Sequence, residues 1–221
     1  MENVLHLCGD IQAAPQLSHE SHGVCFFTFP LAVRRLSGTE DVLNVIAPEA
    51  MILRIREGER VRLFGQVRSY NNRSAQGNRL QISAWAKSLE SCCEDYDNRV
   101  SLTGVICKPP VYRCTPYGRE ITDIMLRVDR PSRTDEPART DDPSRTDEPA
   151  RGDDAEPRIR TRYDYIPCVT WGSVARLCAG MEPYTRVTFT GRLQSRAYTK
   201  LVGEESQARV AYEVSVAQCM P

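Results

Sequence analysis

Lysine is scarce in this 221-residue sequence. Of its 29 basic residues, all but Lys87, Lys108 and Lys200 are arginines. Histidine stops at His22, so a Cys–His nucleophile pair within the stretch from Asn98 to the end is excluded. Several signatures are missing altogether. There is no G-x-x-x-x-G-K-[ST], no G-x-G-x-x-G behind a strand, no H-E-x-x-H and no G-x-S-x-G. Their absence argues against a P-loop enzyme, a dinucleotide enzyme, a zinc protease and a serine hydrolase, and no enzyme is expected. No apolar run approaches a membrane span, and the N-terminus has neither a charged leader nor a long apolar segment. The nine cysteines form no C-x-x-C pair and mostly lie in apolar runs, where a free thiol acts as a small hydrophobe. A reduced, cytoplasmic, soluble protein without membrane contact is the expectation.

What is present is β-branched residues in short runs, punctuated by glycine and proline, which reads as an all-β chain. It is also a repeat. "NVLHLCGDI" from Asn3 matches "NRVSLTGVI" from Asn98, "RVRLFGQVRSYN" from Arg60 matches "RVTFTGRLQSRA" from Arg186, and "RLQISAWA" from Arg79 matches "RVAYEVSV" from Arg209. Gly9 and Gly104 are 95 residues apart, whereas Gly65 and Gly191 are 126 apart, so the second copy has gained 31 residues in between. Residues 131–157 account for nearly all of the gain. They repeat a six-residue proline unit and hold four arginines and nine acidic residues, a net charge of −5. That segment cannot build a core and is expected to be disordered. The formal charge of the whole chain is zero, so the remainder is net +5.

Each copy predicts five strands, with a short helix between the third and fourth. Copy one places strands near 3–12, 24–34, 40–47, 59–71 and 78–90, with a helix that begins at Pro48 and stops before Gly58. Copy two places them near 98–107, 120–129, 163–171, 185–199 and 208–219, with a helix capped by Ser173 and ending near Gly180. Five strands in that order predict two tandem OB-fold barrels. The expected domains are 1–91 and 98–221, joined by a linker at 92–97. "SHESHG" reads as a polar loop. His19, His22 and Cys25, with His6 and Cys8 upstream, lack the paired spacing of a zinc site, so neither a metal nor a cofactor is expected.

The strand from Arg186 to Lys200 alternates. Val187, Phe189, Gly191 and Leu193 share one parity. The other carries Arg192, Gln194, Arg196, Tyr198 and Lys200 with no acid. Copy one repeats the plan, with Arg62, Phe64, Arg68 and Tyr70 on one parity. Trp85 shares the parity of Arg79 and Gln81 in the last strand of that copy and is expected to face outward. Cations interleaved with flat rings suit a phosphate chain and base faces, the requirement of a sequence-tolerant single-strand binder. Tyr112 and Arg113 are expected as further contacts from a hairpin loop.

Copy two resembles the bacterial single-stranded-DNA-binding protein (SSB) family over four segments: "NRVSLTGVICKPPVYRCTPYGREITDIMLRVDR", "YDYIPCVTWGSVAR", "VTFTGRLQSRAYTK" and "ARVAYEVSV". Copy one looks like a diverged version, giving a tandem form similar to clostridial members. The resemblance implies that the chain binds and coats single-stranded DNA in replication, repair or recombination, in association with the nucleoid. It implies that Tyr165, Trp171 and Tyr198 occupy positions of base-stacking aromatics, whereas the place of a further stacking tryptophan, near Ser132, holds no ring. Single-domain members form tetramers, so a chain with two barrels is expected to form a homodimer with four. Replication or repair proteins are further expected partners, but the sequence ends at "VSVAQCMP" without the acidic tip by which many members recruit them. The alternative is a protein-interaction module, like primosomal accessory proteins of similar fold, whose first domain binds DNA weakly or not at all.

Overall fold

The computed structural model describes residues 2–72, 80–130, 162–202 and 205–220, with side chains at all of these except 200–202 and 205. The proline-rich segment expected to be disordered lies outside the described residues. The first copy comprises β1 (Asn3–Ile11), β2 (Gln16–Ser21), β3 (Val24–Arg34), β4 (Glu40–Pro48), α1 (Glu49–Ile52), β5 (Arg60–Asn71) and β6 (Leu80–Ser91). The second comprises β7 (Asp97–Ile106), β8 (Val111–Cys114), β9 (Glu120–Arg130), β10 (Arg162–Trp171), α2 (Gly172–Ala179), β11 (Arg186–Val202) and β12 (Glu205–Met220).

Each copy closes into a barrel. β1 pairs antiparallel with both β3 and β5, β3 with β4, β5 with β6, and β4 closes on β6 in parallel. β7, β9, β10, β12 and β11 repeat the circuit. This is the five-stranded OB arrangement, twice. Sharp coiling is met by equivalent bulges at Phe64/Gly65 and Thr190/Gly191. A Cβ on Gly65 would strike the carbonyl of Trp85, and one on Gly191 that of Ser215, so no larger residue fits the crossing. Each core holds one fully buried phenylalanine at a different strand. Phe29 stands where the second copy has Ile124, and Phe189 where the first has Leu63. The two exchanges keep core volume nearly constant.

The barrels join through β1 and β7, which pair antiparallel with Leu5 opposite Val100, its own counterpart in the repeat. A pseudo-twofold axis therefore passes between these two residues. Two clasps obey it. The buried Asp164 carboxylate accepts from Arg68 (3.0 Å), from Arg130 (2.5 Å) and from the backbone N–H of Ser69 (2.7 Å). The buried Asp41 carboxylate accepts two bonds of 2.6 Å from Arg35 and one of 2.8 Å from the backbone N–H of Ser195. A buried carboxylate requires such partners, because an unpaired one would lose its solvation without return.

Three local expectations are corrected. "SHESHG" is not a loop: its first residues belong to β2, which turns back into β3 through His22 and Gly23, both at positive φ. The helix after Pro48 is a single turn, because the chain then bends to bury Ile55 at the barrel end. Ser173 caps nothing. Gly172 takes φ +56° and starts α2 itself, with Trp171 as the flanking residue and no side-chain cap. No helix among the described residues is long and apolar enough to cross a membrane.

Candidate nucleic-acid interface

Strand β10 alternates, and its two faces differ chemically. Asp164, Ile166, Cys168 and Thr170 point inward and are buried. Tyr163, Tyr165 and Trp171 point outward and remain 38%, 42% and 41% exposed. Large rings left this open on a strand forgo part of the gain that full burial would give. From Tyr165 to Trp171 the row runs on the order of 20 Å along the strand. On the neighbouring β9, Arg127 places its guanidinium 4.7 Å from the centroid of the Tyr163 ring. Its Nε has no hydrogen-bond partner among the described residues. The result is an open row of rings with a cation stacked on one end.

Tyr112 and Arg113 flank this row on β8, in a strand and not in a loop. Both are exposed and engaged. The Tyr112 hydroxyl donates to Glu120 at 2.7 Å, and that carboxylate pushes the phenol's pKa upward. Arg113 donates to Asp123 at 2.8 Å.

On β11 the acid-free face acquires an acid from the next strand. Arg196 is exposed and approaches Glu213 of β12 at 3.4 Å, with its guanidinium 5.9 Å from the half-buried Tyr198 ring. Of two other expected contacts, Gln194 is buried and Arg192 is half-buried. Gln194 is 5% exposed; its amide donates to Glu213 at 2.9 Å and accepts from Arg192 at 3.2 Å. Burial lowers the pKa of Arg192, and the nearby Arg35 lowers it further. Parity alone placed both outward; the docking of the two barrels covers them. Lys200 lies on β11 opposite Gln207, and its side chain is outside the described set.

The corresponding strand of the first barrel is more heavily neutralised. Arg62 pairs with Glu94 (2.6 Å) and Glu90 (3.3 Å). With Phe64 it lines a groove of about 420 Å³ whose walls carry Glu90, Glu94 and Asp97 against Arg62 and Arg99, three carboxylates to two cations. Arg68 is spent in the Asp164 clasp, whereas Tyr70 is 51% exposed and Trp85 is half-buried.

The clasps fix the correspondence between the barrels on this face. Val42 donates its N–H to Ser195, as Tyr165 does to Ser69. At the positions of Tyr163, Tyr165 and Trp171 the first barrel therefore has Glu40, Val42 and Pro48. It has no aromatic row there. Sequence reasoning missed Tyr163 and Arg127. Tyr163 was legible, since it shares parity with Tyr165. Arg127 joins the row through the β9–β10 register, which places it opposite Tyr165 and which no local pattern discloses.

A model of the Single-strand binding protein family matches residues 97–220. The search of curated proteins found no match. Among solved structures, the wild-type single-stranded DNA binding protein from Thermus aquaticus is similar with a TM-score of 0.69 at 15% identity, covering 99% of this chain and 92% of that one. A deletion mutant of the same Thermus aquaticus protein gives a TM-score of 0.66 at 15% identity, over 99% and 93% of the two chains. At this identity the likeness speaks for the two-barrel fold.

Proposed function

The chain belongs to the single-strand binding protein family, and from that premise we propose that it binds and coats single-stranded DNA with little sequence preference, in replication, repair or recombination. The exposed row of Tyr163, Tyr165 and Trp171 beside Arg127 carries this reading. Bases stack on the rings, and Arg127, Arg196 and Arg113 neutralise phosphates. A strand displacing Glu213 or Asp123 exchanges one anion for another, so the ion pairs do not bar the site. Stacking tolerates any base, because every base has a π-face. No step of catalysis is assigned to the chain. Two chains, four barrels in all, form the proposed assembly, which size-exclusion chromatography with light scattering measures directly.

The test is a titration of fluorescently labelled oligo(dT) against the full chain and a Tyr165→Ala, Trp171→Ala double variant. Each stacked base is worth about 1–3 kcal/mol, so affinity falls by about tenfold or more. Equal affinity of both proteins removes β10 from the binding surface. The second reading, a first barrel without contact through β4, is favoured by Glu40, Val42 and Pro48 at the ring positions.

A further inference from the structure

The first barrel has its own rings, but elsewhere. His19 on β2 stacks on Phe26 of β3 with centroids 5.0 Å apart and planes 12° from parallel. Phe26 in turn meets Trp85 of β6 at 4.8 Å. His19 is exposed, and Phe26 and Trp85 are half-buried. The fold does not require this cluster. In the second barrel Arg113 faces Ile121 where His19 faces Phe26, and Ser215 stands in the place of Trp85. That barrel closes with no ring at any of the three positions.

The placement is also specific. Phe26 is the cross-strand partner of Pro48, as Ile121 is of Trp171. The cluster thus lies at the same level of its barrel as Trp171 does in the other, displaced by one strand. The two barrels thus each carry rings at this level, Trp171 on one and Phe26, His19 and Trp85 on the other.

We propose that His19, Phe26 and Trp85 form a second nucleobase-stacking platform, through which the first barrel holds single-stranded DNA by a different strand from the second. The proposal rests on the single-strand-binding reading. It replaces the missing β4 row with rings on β2, β3 and β6, so the two barrels share a ligand and not a set of positions.

The chain contains two tryptophans, Trp85 and Trp171. A Trp171→Phe variant of the full chain therefore leaves Trp85 as the sole indole reporter. It is titrated with labelled oligo(dT) of about 64 nucleotides, long enough for four barrels at up to ~16 nucleotides each. Anisotropy of the label reports binding, and indole emission reports contact at Trp85. The expected result is quenching of Trp85 that tracks the anisotropy, with affinity lowered about fivefold or more by His19→Ala, an exposed position where loss of folding is not at issue. Rising anisotropy with unchanged Trp85 emission overturns the platform and leaves the second barrel's role intact. Absence of any anisotropy change with the unaltered chain overturns the single-strand reading itself, and the platform with it.

Discussion

Tyr165 and Val42 make the same backbone bond to a serine of the opposite barrel, yet only one of them presents a ring. Backbone geometry is preserved by the pseudo-twofold while side chains carry the difference between the barrels. Asp10 shows a second residue-scale effect. It accepts from Arg60 at 2.7 Å and from the Tyr96 hydroxyl at 2.6 Å, and the Arg60 guanidinium also lies over the Tyr96 ring at 4.1 Å. Arg60 first, then Tyr96, hold the carboxyl below its usual range against the opposing effect of burial. A depressed folded pKa gives stability that is complete above the unfolded value, about 3.9, and is lost as pH falls through the lower folded value. Urea midpoints measured downward from about pH 5 should therefore fall less steeply for Asp10→Asn than for the unaltered chain. Parallel curves would show that the triad contributes nothing to acid stability.

At the scale of elements, ten strands were legible because each alternates or runs apolar between turn residues. β2 and β8 were not, since "QLSHES" and "VYRC" are exposed nearly throughout and have no buried parity to betray a strand. The Ser173 cap failed for a different reason: the glycine before it adopts a positive φ and takes the turn one residue early. The exposure of the candidate site was half legible. Tyr165 and Trp171 stand open as their alternation predicts, whereas Gln194 and Arg68 share an outward parity and are covered by the other barrel. Docking between repeats leaves no local periodicity. The clasps that produce it give an element-scale prediction. Asp164→Ala leaves Arg68 and Arg130 without their shared carboxylate and strands the Ser69 N–H. Stability measured by denaturant should drop by about 3–5 kcal/mol, as for a broken buried ion pair. A drop under about 1 kcal/mol, the size of a surface pair, would mean that the clasp does not hold the barrels together.

Across the whole molecule the formal charge is zero, but the residues outside 131–157 are net +5. Arginine dominates that excess, and its planar fork serves both phosphate and ring stacking. Many of the described arginines already face a carboxylate, so the proposed binding would exchange internal ion pairs for phosphate contacts. The two barrels then act as one body, bridged by β1–β7 and both clasps, with rings distributed on different strands of each. The central claim is that this body coats single strands by stacking and phosphate neutralisation. It is tested most directly by titrating labelled oligo(dT) against the full chain across a salt series. Each released counterion contributes a slope of about −0.7, so three or more phosphate contacts predict a log–log slope of about −2 or steeper. A salt-independent affinity, or no binding at the lowest salt, would contradict the account.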